Sequence, residues 1–235
     1  MAGTLVARET LRLAGADRAV EVRRNRQARR LTLRLAPDGE SLRLTLPPGM
    51  PLRDGLAFAA RQEAWLRRRL DALPARVPFA PGTEIPIRDQ AHTICHEPGA
   101  RRGVWRADGA LHVSGAAEHV PRRVRDFLIA EARREIAPRA RDLAARLGRE
   151  PGRIALRDTR SRWGSCSARG HLNFSWRLIF APEWIIHYVV AHEVAHLVHL
   201  DHSPQYWACL RELAPDVESP QQWLHVHGAR LQRYG

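Results

Sequence analysis

The 235 residues are 44% hydrophobic and carry a formal charge of +13, and all 38 basic residues are arginine. A chain of this length buries a substantial core, as one large domain or two smaller ones. No apolar run approaches the roughly 18 to 20 residues that a bilayer-spanning helix needs, so no such helix is expected.

The arginines are spread along the sequence rather than gathered in one block, so they read first as a solvated basic surface. Arginine's planar fork still leaves a nucleotide or DNA contact open as a partner. Cys95, Cys166 and Cys209 match neither a zinc ribbon nor a disulfide framework and are expected to be reduced thiols.

The first segment, MAGTLVARETLRLAGADRAVEVRR, lacks a signal-peptide core because Arg8, Glu9 and Arg12 interrupt it, so a cytoplasmic location is expected. LTLRL and LRLTL alternate on either side of the turn-forming PDGE and predict a β-hairpin. LRDGLAFAARQEAWLRRRLDAL has helical periodicity, with Leu56, Ala59, Ala60, Trp65, Leu66 and Leu70 on its apolar face. Short strands are expected at residues 85–87, 92–95, 103–106 and 110–113.

Beyond Gly115 the pattern changes. PRRVRDFLIAEARREIAPRARDLAARLG predicts one long helix, bent at Pro138 and ended by Gly148. RIALRDTRSRWGSCSARGHLNFSW reads as two strands joined by a turn at 168–170, and three helices follow, beginning near Pro182, Pro204 and Pro220. No internal repeat is evident. The expected organisation is α+β, with a β-rich region carrying one helix at 1–117 and an α+β domain at 118–235.

Within the second part, VVAHEVAHLVHLDHS places His192 and His196 four residues apart with Glu193 between them, an H-E-x-x-H pattern. On a helix such residues differ by about 40° in direction and about 6 Å in rise, so both imidazoles reach one zinc ion. The adjacent glutamate points near the metal without occupying it, where it can take a proton from water. The flanks IIHYVV and LVHL are apolar, and an unpaired glutamate buried there would cost several kcal/mol, which a metal and its water remove.

His199 and His202 compete for the third ligand position. In a continuous helix His202 would lie about 9 Å along the axis from His196. Asp201 tolerates a left-handed turn, and Ser203-Pro204 is an N-cap followed by proline at the first helical position. That break folds the chain back and favours His202. His171, His187, His225 and His227 read as structural histidines. Cys166 reads as a packing group, Trp163 as a packing group or a substrate contact, Arg162 as a phosphate or oxyanion contact, and Tyr188 as a core residue or oxyanion donor.

Arg162-Trp163-Gly164-Ser165-Cys166-Ser167, with Gly170, Leu172, Asn173, Pro182, the H-E-x-x-H helix, His202-Ser203 and Trp207, resembles the YgjP-like metal-dependent hydrolases, relatives of the SprT-like and WLM-type zinc metallopeptidases. RRNRQARRLTLRL and AWLRRRL resemble the family's N-terminal region less specifically, and Asp201 stands where that family is expected to have asparagine. The resemblance implies a minimal zincin-like core of a long helix, a small antiparallel sheet and an H-E-x-x-H helix. It implies His192, His196 and His202 as ligands of one zinc per chain and Glu193 as general base.

Three functions follow. The first is zinc-dependent peptide hydrolysis, as a metalloendopeptidase acting on a peptide or protein. The second is nucleoside triphosphate (UTP) pyrophosphate hydrolysis on the same metal site, an activity attributed to some members of the family, although the sequence has no P-loop. The third is a DNA-associated protease module, by analogy with SprT-like relatives. A purely structural zinc site would leave Glu193 without a task.

Overall fold

The computed structural model describes residues 3–36, 39–159 and 162–235, and contacts divide the chain into two compact units, Met1–Pro74 and Ala75–Gly235. The first unit holds a four-stranded sheet in the order β1-β2-β4-β3. β1 (Thr4–Leu13) and β2 (Ala16–Arg24) pair antiparallel across Ala14-Gly15, both at positive φ (52° and 79°), as a two-residue hairpin turn requires. β3 (Thr32–Leu35) and β4 (Ser41–Leu46) form the expected hairpin, Leu33 opposite Leu44 and Leu35 opposite Leu42. Of its PDGE turn, Pro37 and Asp38 lie outside the described residues. Alternation sends Val20, Val22, Leu42, Leu44 and Leu46 into the core of this unit.

The single helix expected next is two, α1 (Leu52–Ala60) and α2 (Glu63–Asp71). Ala59 and Leu66 are buried as expected, but Ala60 is exposed. No Gly or Pro stands at 61–62, so the local sequence does not account for the break. Gly55 lets α1 approach β4, since a Cβ there would overlap the Leu46 side chain.

In the second unit β5 (Glu84–Ile87), β6 (Gln90–Glu97), β7 (Val104–Ala107) and β8 (Ala110–Ser114) occupy the expected strand positions. Their order, β5-β6-β8-β7, joins two antiparallel hairpins through a parallel central pair. That is the topology of the first sheet, and each sheet is followed by a helix. The repeat is invisible in residue identities because a hairpin needs only alternation and a permissive turn. Here the turns are Arg88-Asp89 and Asp108-Gly109, again at positive φ.

Ile85, Ile87, Ile94, Leu111 and Val113 share one core with Val124, Leu128, Ala132 and Ile136 of α3 (Val120–Arg146). The compact units therefore meet at 74/75, not near residue 117: these strands bury their apolar face in the same core as the long helix that follows them. α3 runs on past Pro138, and Gly148 takes positive φ (63°) just beyond its end.

The stretch read as two strands contains three, β9 (Ile154–Arg157), β10 (Gly164–Cys166) and β11 (Leu172–Ser175), in the order β10-β11-β9. β10 is antiparallel to β11 and β9 is parallel to it, so the small sheet is mixed rather than antiparallel. α4 (Glu183–Ala195), α5 (Pro204–Leu213) and α6 (Glu218–Leu231) complete the chain. The fold is α+β, a β-rich N-terminal region followed by a long helix, a small sheet and the H-E-x-x-H helix. Among the described residues no helix is long and apolar enough to cross a membrane.

Candidate metal centre and cleft

α4 carries the site and is buried on most of its surface: Ile185, Ile186, Val189, Val190, Val194 and Ala195 all lie in the core. Each of these isoleucine and valine side chains stabilises the fold by about 1.5–3 kcal/mol, which fixes the helix firmly. Its first turn is tied to α3 by Arg139, which donates to the Glu183 carboxylate (2.8 Å) and carbonyl (3.2 Å).

The regular helix stops at Ala195, one residue before His196. Leu197 and Val198 then donate to Val194 and Ala195 in tightened turns. Asp201 does not adopt the expected positive φ. Its carboxylate instead accepts from Ser203 N–H (3.2 Å), a side-chain turn that reverses the chain without backbone strain. Ser203 caps α5 by accepting from Tyr206 N–H (3.4 Å), with Pro204 at its first position.

This reversal brings His202 back over α4. The ring of His202 lies 5.4 Å from that of His192 and 4.8 Å from that of His196, centroid to centroid, while His192 and His196 are 5.2 Å apart. One donor atom from each of the three lies within 4.8 Å of the others, the one such cluster of three or more His, Cys, Asp or Glu among the described residues. His199 contributes only its carbonyl, which accepts from His196 Nδ1 (2.9 Å). That bond leaves His196 Nε2 as the free donor.

Tyr206 backs the cluster. Its buried ring stacks 4.5 Å from His196 and stands edge-on to His192 and His202, and its hydroxyl donates to the His192 carbonyl (3.2 Å). Burial raises its pKa, so it stays a neutral donor. Burial, then the neighbouring His196 and His202, hold His192 down to about 4. Burial also lowers His196, partly offset by the His199 carbonyl and by Asp201. His192 and His196 are therefore held as neutral imidazoles, the form that binds metal. His192 Nδ1 is buried without a hydrogen-bond partner among the described residues.

Glu193 is buried beside the first histidine, and burial pushes it up to about 7 against the opposing pull of Arg162 and the Cys166 N–H bond. Cys166 can donate this N–H because β10 is an edge strand whose inward groups pair with β11, as Trp163 O and Ser167 N do with Ser175 and His171. The Cys166 thiol, raised to about 11 by burial and then by Glu193, remains protonated and is no nucleophile.

A cavity of about 370 Å3 opens on these groups, lined by Arg162, Trp163, Gly164, Tyr188, Val189, His192, Glu193, Gln221 and Leu224. Arg162, Trp163 and Tyr188 thus all stand at the site. Gln221 and Leu224, from α6, were not legible in the sequence. Gln221 Nε2 donates to the Tyr188 hydroxyl (3.0 Å), leaving that hydroxyl's own proton free, and burial raises the Tyr188 pKa. The remaining histidines are structural or peripheral: His171 Nδ1 accepts from Arg153 N–H (3.0 Å), His187 Nε2 bonds the Leu213 carbonyl (3.0 Å), and His225 and His227 are exposed.

The YgjP-like metallopeptidase domain matches residues 29–227 of this chain. The chain belongs to the YgjP-like family. Membership implies a metal-dependent hydrolase, and the His192, His196 and His202 cluster can hold the ion. The match begins at residue 29 and so includes the β3–β4 hairpin and the helices after it as well as the metal centre. A solved structure, the metallopeptidase zymogen of Pyrococcus abyssi abylysin, is similar over 46% of this chain and 96% of its own, at 20% identity and a TM-score of 0.33. No curated protein matches the chain.

Proposed function

We propose that this YgjP-like chain is a zinc-dependent peptidase that cuts within a polypeptide, with His192, His196 and His202 holding one zinc ion and Glu193 as general base. The observation that carries the reading is the convergence of three imidazoles beside a buried carboxylate on the wall of a largely apolar cavity. The donor set fits zinc: imidazole is a preferred ligand, three protein ligands are usual for a catalytic site, and a buried carboxylate without a partner ion is otherwise costly. When bound, zinc supplies Lewis-acid activation of water and of the scissile carbonyl.

The chain's own groups do the rest. Glu193, fixed by the Cys166 N–H and by contact with Gly164, takes a proton from the attacking water and passes it to the leaving amine. Tyr188, held by Gln221, has an O–H free to donate to the oxygen that gains charge. β10 lies at a sheet edge, the position at which an extended substrate chain can pair.

Arg162 on the cavity wall supports a second reading, hydrolysis of a nucleoside triphosphate such as UTP, with the guanidinium on a phosphate. A DNA partner would find its charge on the first unit's sheet, where Arg8, Glu21, Arg43 and Arg34 form one row across β1, β2, β4 and β3. Bound zinc and turnover of casein and UTP, measured on wild type and Glu193→Gln, test the reading. One zinc per chain in both proteins, with casein cleaved only by wild type, is expected. Turnover of UTP alone transfers the assignment to the second reading, and absence of zinc from both overturns the proposal.

A further inference from the structure

Behind Tyr188 lies a second cavity, of about 450 Å3, lined by Trp184, His187, Tyr188, Ala214–Asp216, Ser219 and Pro220. Tyr188 belongs to both cavities, and Gln221, which lines the first, directly follows Pro220, which lines the second. Tyr188, which accepts from Gln221 Nε2 (3.0 Å), thus borders both. Trp184 is 45% exposed, an unusual state for an indole on a helix otherwise buried, and its ring stands edge-on to Trp223 at 6.3 Å. His187, also in the lining, is tied through Nε2 to the Leu213 carbonyl (3.0 Å).

The charge of the lining is as informative as its shape. In a chain with 38 arginines, the described lining has none, and Asp216 is its one charged side chain. Asp216 accepts from Ser219 N–H (3.1 Å), which fixes the carboxylate at the start of α6. An indole, two prolines and an alanine make an apolar chamber, while a fixed carboxylate repels anionic groups. A carboxylate at this place disfavours phosphate and acidic side chains.

We infer that this second cavity is a specificity subsite of the same cleft, taking a bulky aromatic or long aliphatic side chain of the substrate polypeptide close to the scissile bond and rejecting an acidic one. The inference rests on the peptidase reading for the identity of its ligand. Successive residues of an extended chain advance by about 3.3 Å and alternate in direction, so a side chain near the cut is presented to one wall of the cleft. Trp184 supplies the apolar face, Asp216 the rejection, and Tyr188 joins recognition to the site of reaction.

The test uses fluorescein-labelled hexapeptides that differ at one position at a time, carrying Phe, Ala or Glu. Their binding to the zinc-loaded full chain bearing Glu193→Gln is read by anisotropy, and cleavage by wild type is read in parallel. At one position Phe is expected to bind at least about tenfold tighter than Ala, and Glu weakest of the three. Trp184→Ala removes the Phe preference. Asp216→Asn, which retains an acceptor for Ser219 N–H, narrows the Ala-to-Glu gap at least about threefold.

If no position discriminates, if no probe binds, or if the preference survives Trp184→Ala, the inference is overturned. Trp184-dependent binding without cleavage of any peptide leaves the subsite standing and sinks the peptidase reading. Cleavage with a preference indifferent to Trp184 does the reverse.

Discussion

Glu193 rests directly on the backbone of Gly164: a Cβ added there would sit 2.5 Å from Oε1 and 2.7 Å from Cδ of the glutamate. Gly164 is therefore a glycine for reasons of space, and the H-E-x-x-H helix and strand β10 fit together only through it. Gly164→Ala must displace the Glu193 side chain from its present position. Because small misplacements of a reacting group cost large factors, turnover should fall at least about 100-fold while zinc content stays near that of wild type. Wild-type turnover in a folded Gly164→Ala protein would remove Glu193 from the role of base.

His199 and His202 differ in what they offer. His202 turns its ring to the cluster, and His199 turns only its carbonyl, towards His196 Nδ1. His202→Ala should weaken zinc binding by at least about 100-fold, beyond what loss of an outer partner usually costs, while His199→Ala keeps the carbonyl and stays within about tenfold of wild type. Competition against a chromophoric chelator measures both. The opposite order would make His199 the third ligand.

Much of this site was legible in the sequence because its chemistry is local. The four-residue spacing of His192 and His196, the apolar flanks, and Ser203-Pro204 as a helix start all act over one or two turns. What lay hidden depends on distant packing. Gln221 reaches Tyr188 from 33 positions away, and nothing in PQQWLHVHG marks that glutamine apart from its neighbours. Tyr206 was in plain view beside His202, yet its place behind all three histidines follows only from the reversal at Asp201. The same limit holds for the fold: alternation gave β3 to β8, whereas the boundary at 74/75 depends on which core Ile85, Leu111 and Val113 join.

Removal of the metal exposes a pH dependence specific to Glu193. Burial raises this carboxyl from 4.5 to about 7, so the folded, metal-free protein holds its proton more tightly than the unfolded chain does. The associated stability is present below pH about 4.5 and is lost as pH rises through about 7. His192 acts in the opposite sense: held down to about 4, it costs stability as pH falls from 6.5 towards that value. Glu193→Gln abolishes the first effect and keeps the second. In chelator, the stability of Glu193→Gln relative to wild type should rise between about pH 5 and pH 8, by up to roughly 3 kcal/mol. Urea unfolding at several pH values measures it, and a pH-independent difference would show that burial does not govern this carboxyl.

Tyr206 separates packing from hydrogen bonding in the metal centre. Its hydroxyl makes one bond, to the His192 carbonyl, while its ring is the buried wall against which all three imidazoles rest. Tyr206→Phe keeps the wall and loses only the bond, so the metal-free protein should lose about 1 kcal/mol and zinc affinity should change little. Tyr206→Ala leaves a cavity behind the histidines, with an expected loss of about 3–5 kcal/mol from the metal-free protein. It should also weaken zinc binding by about 10- to 100-fold, because the imidazoles are no longer held in their converged positions. Chemical unfolding in chelator gives the first quantity and competitive zinc titration the second. If Phe and Ala weaken zinc equally, the bond to His192 orients the ligands; if only Ala does, the aromatic wall does so.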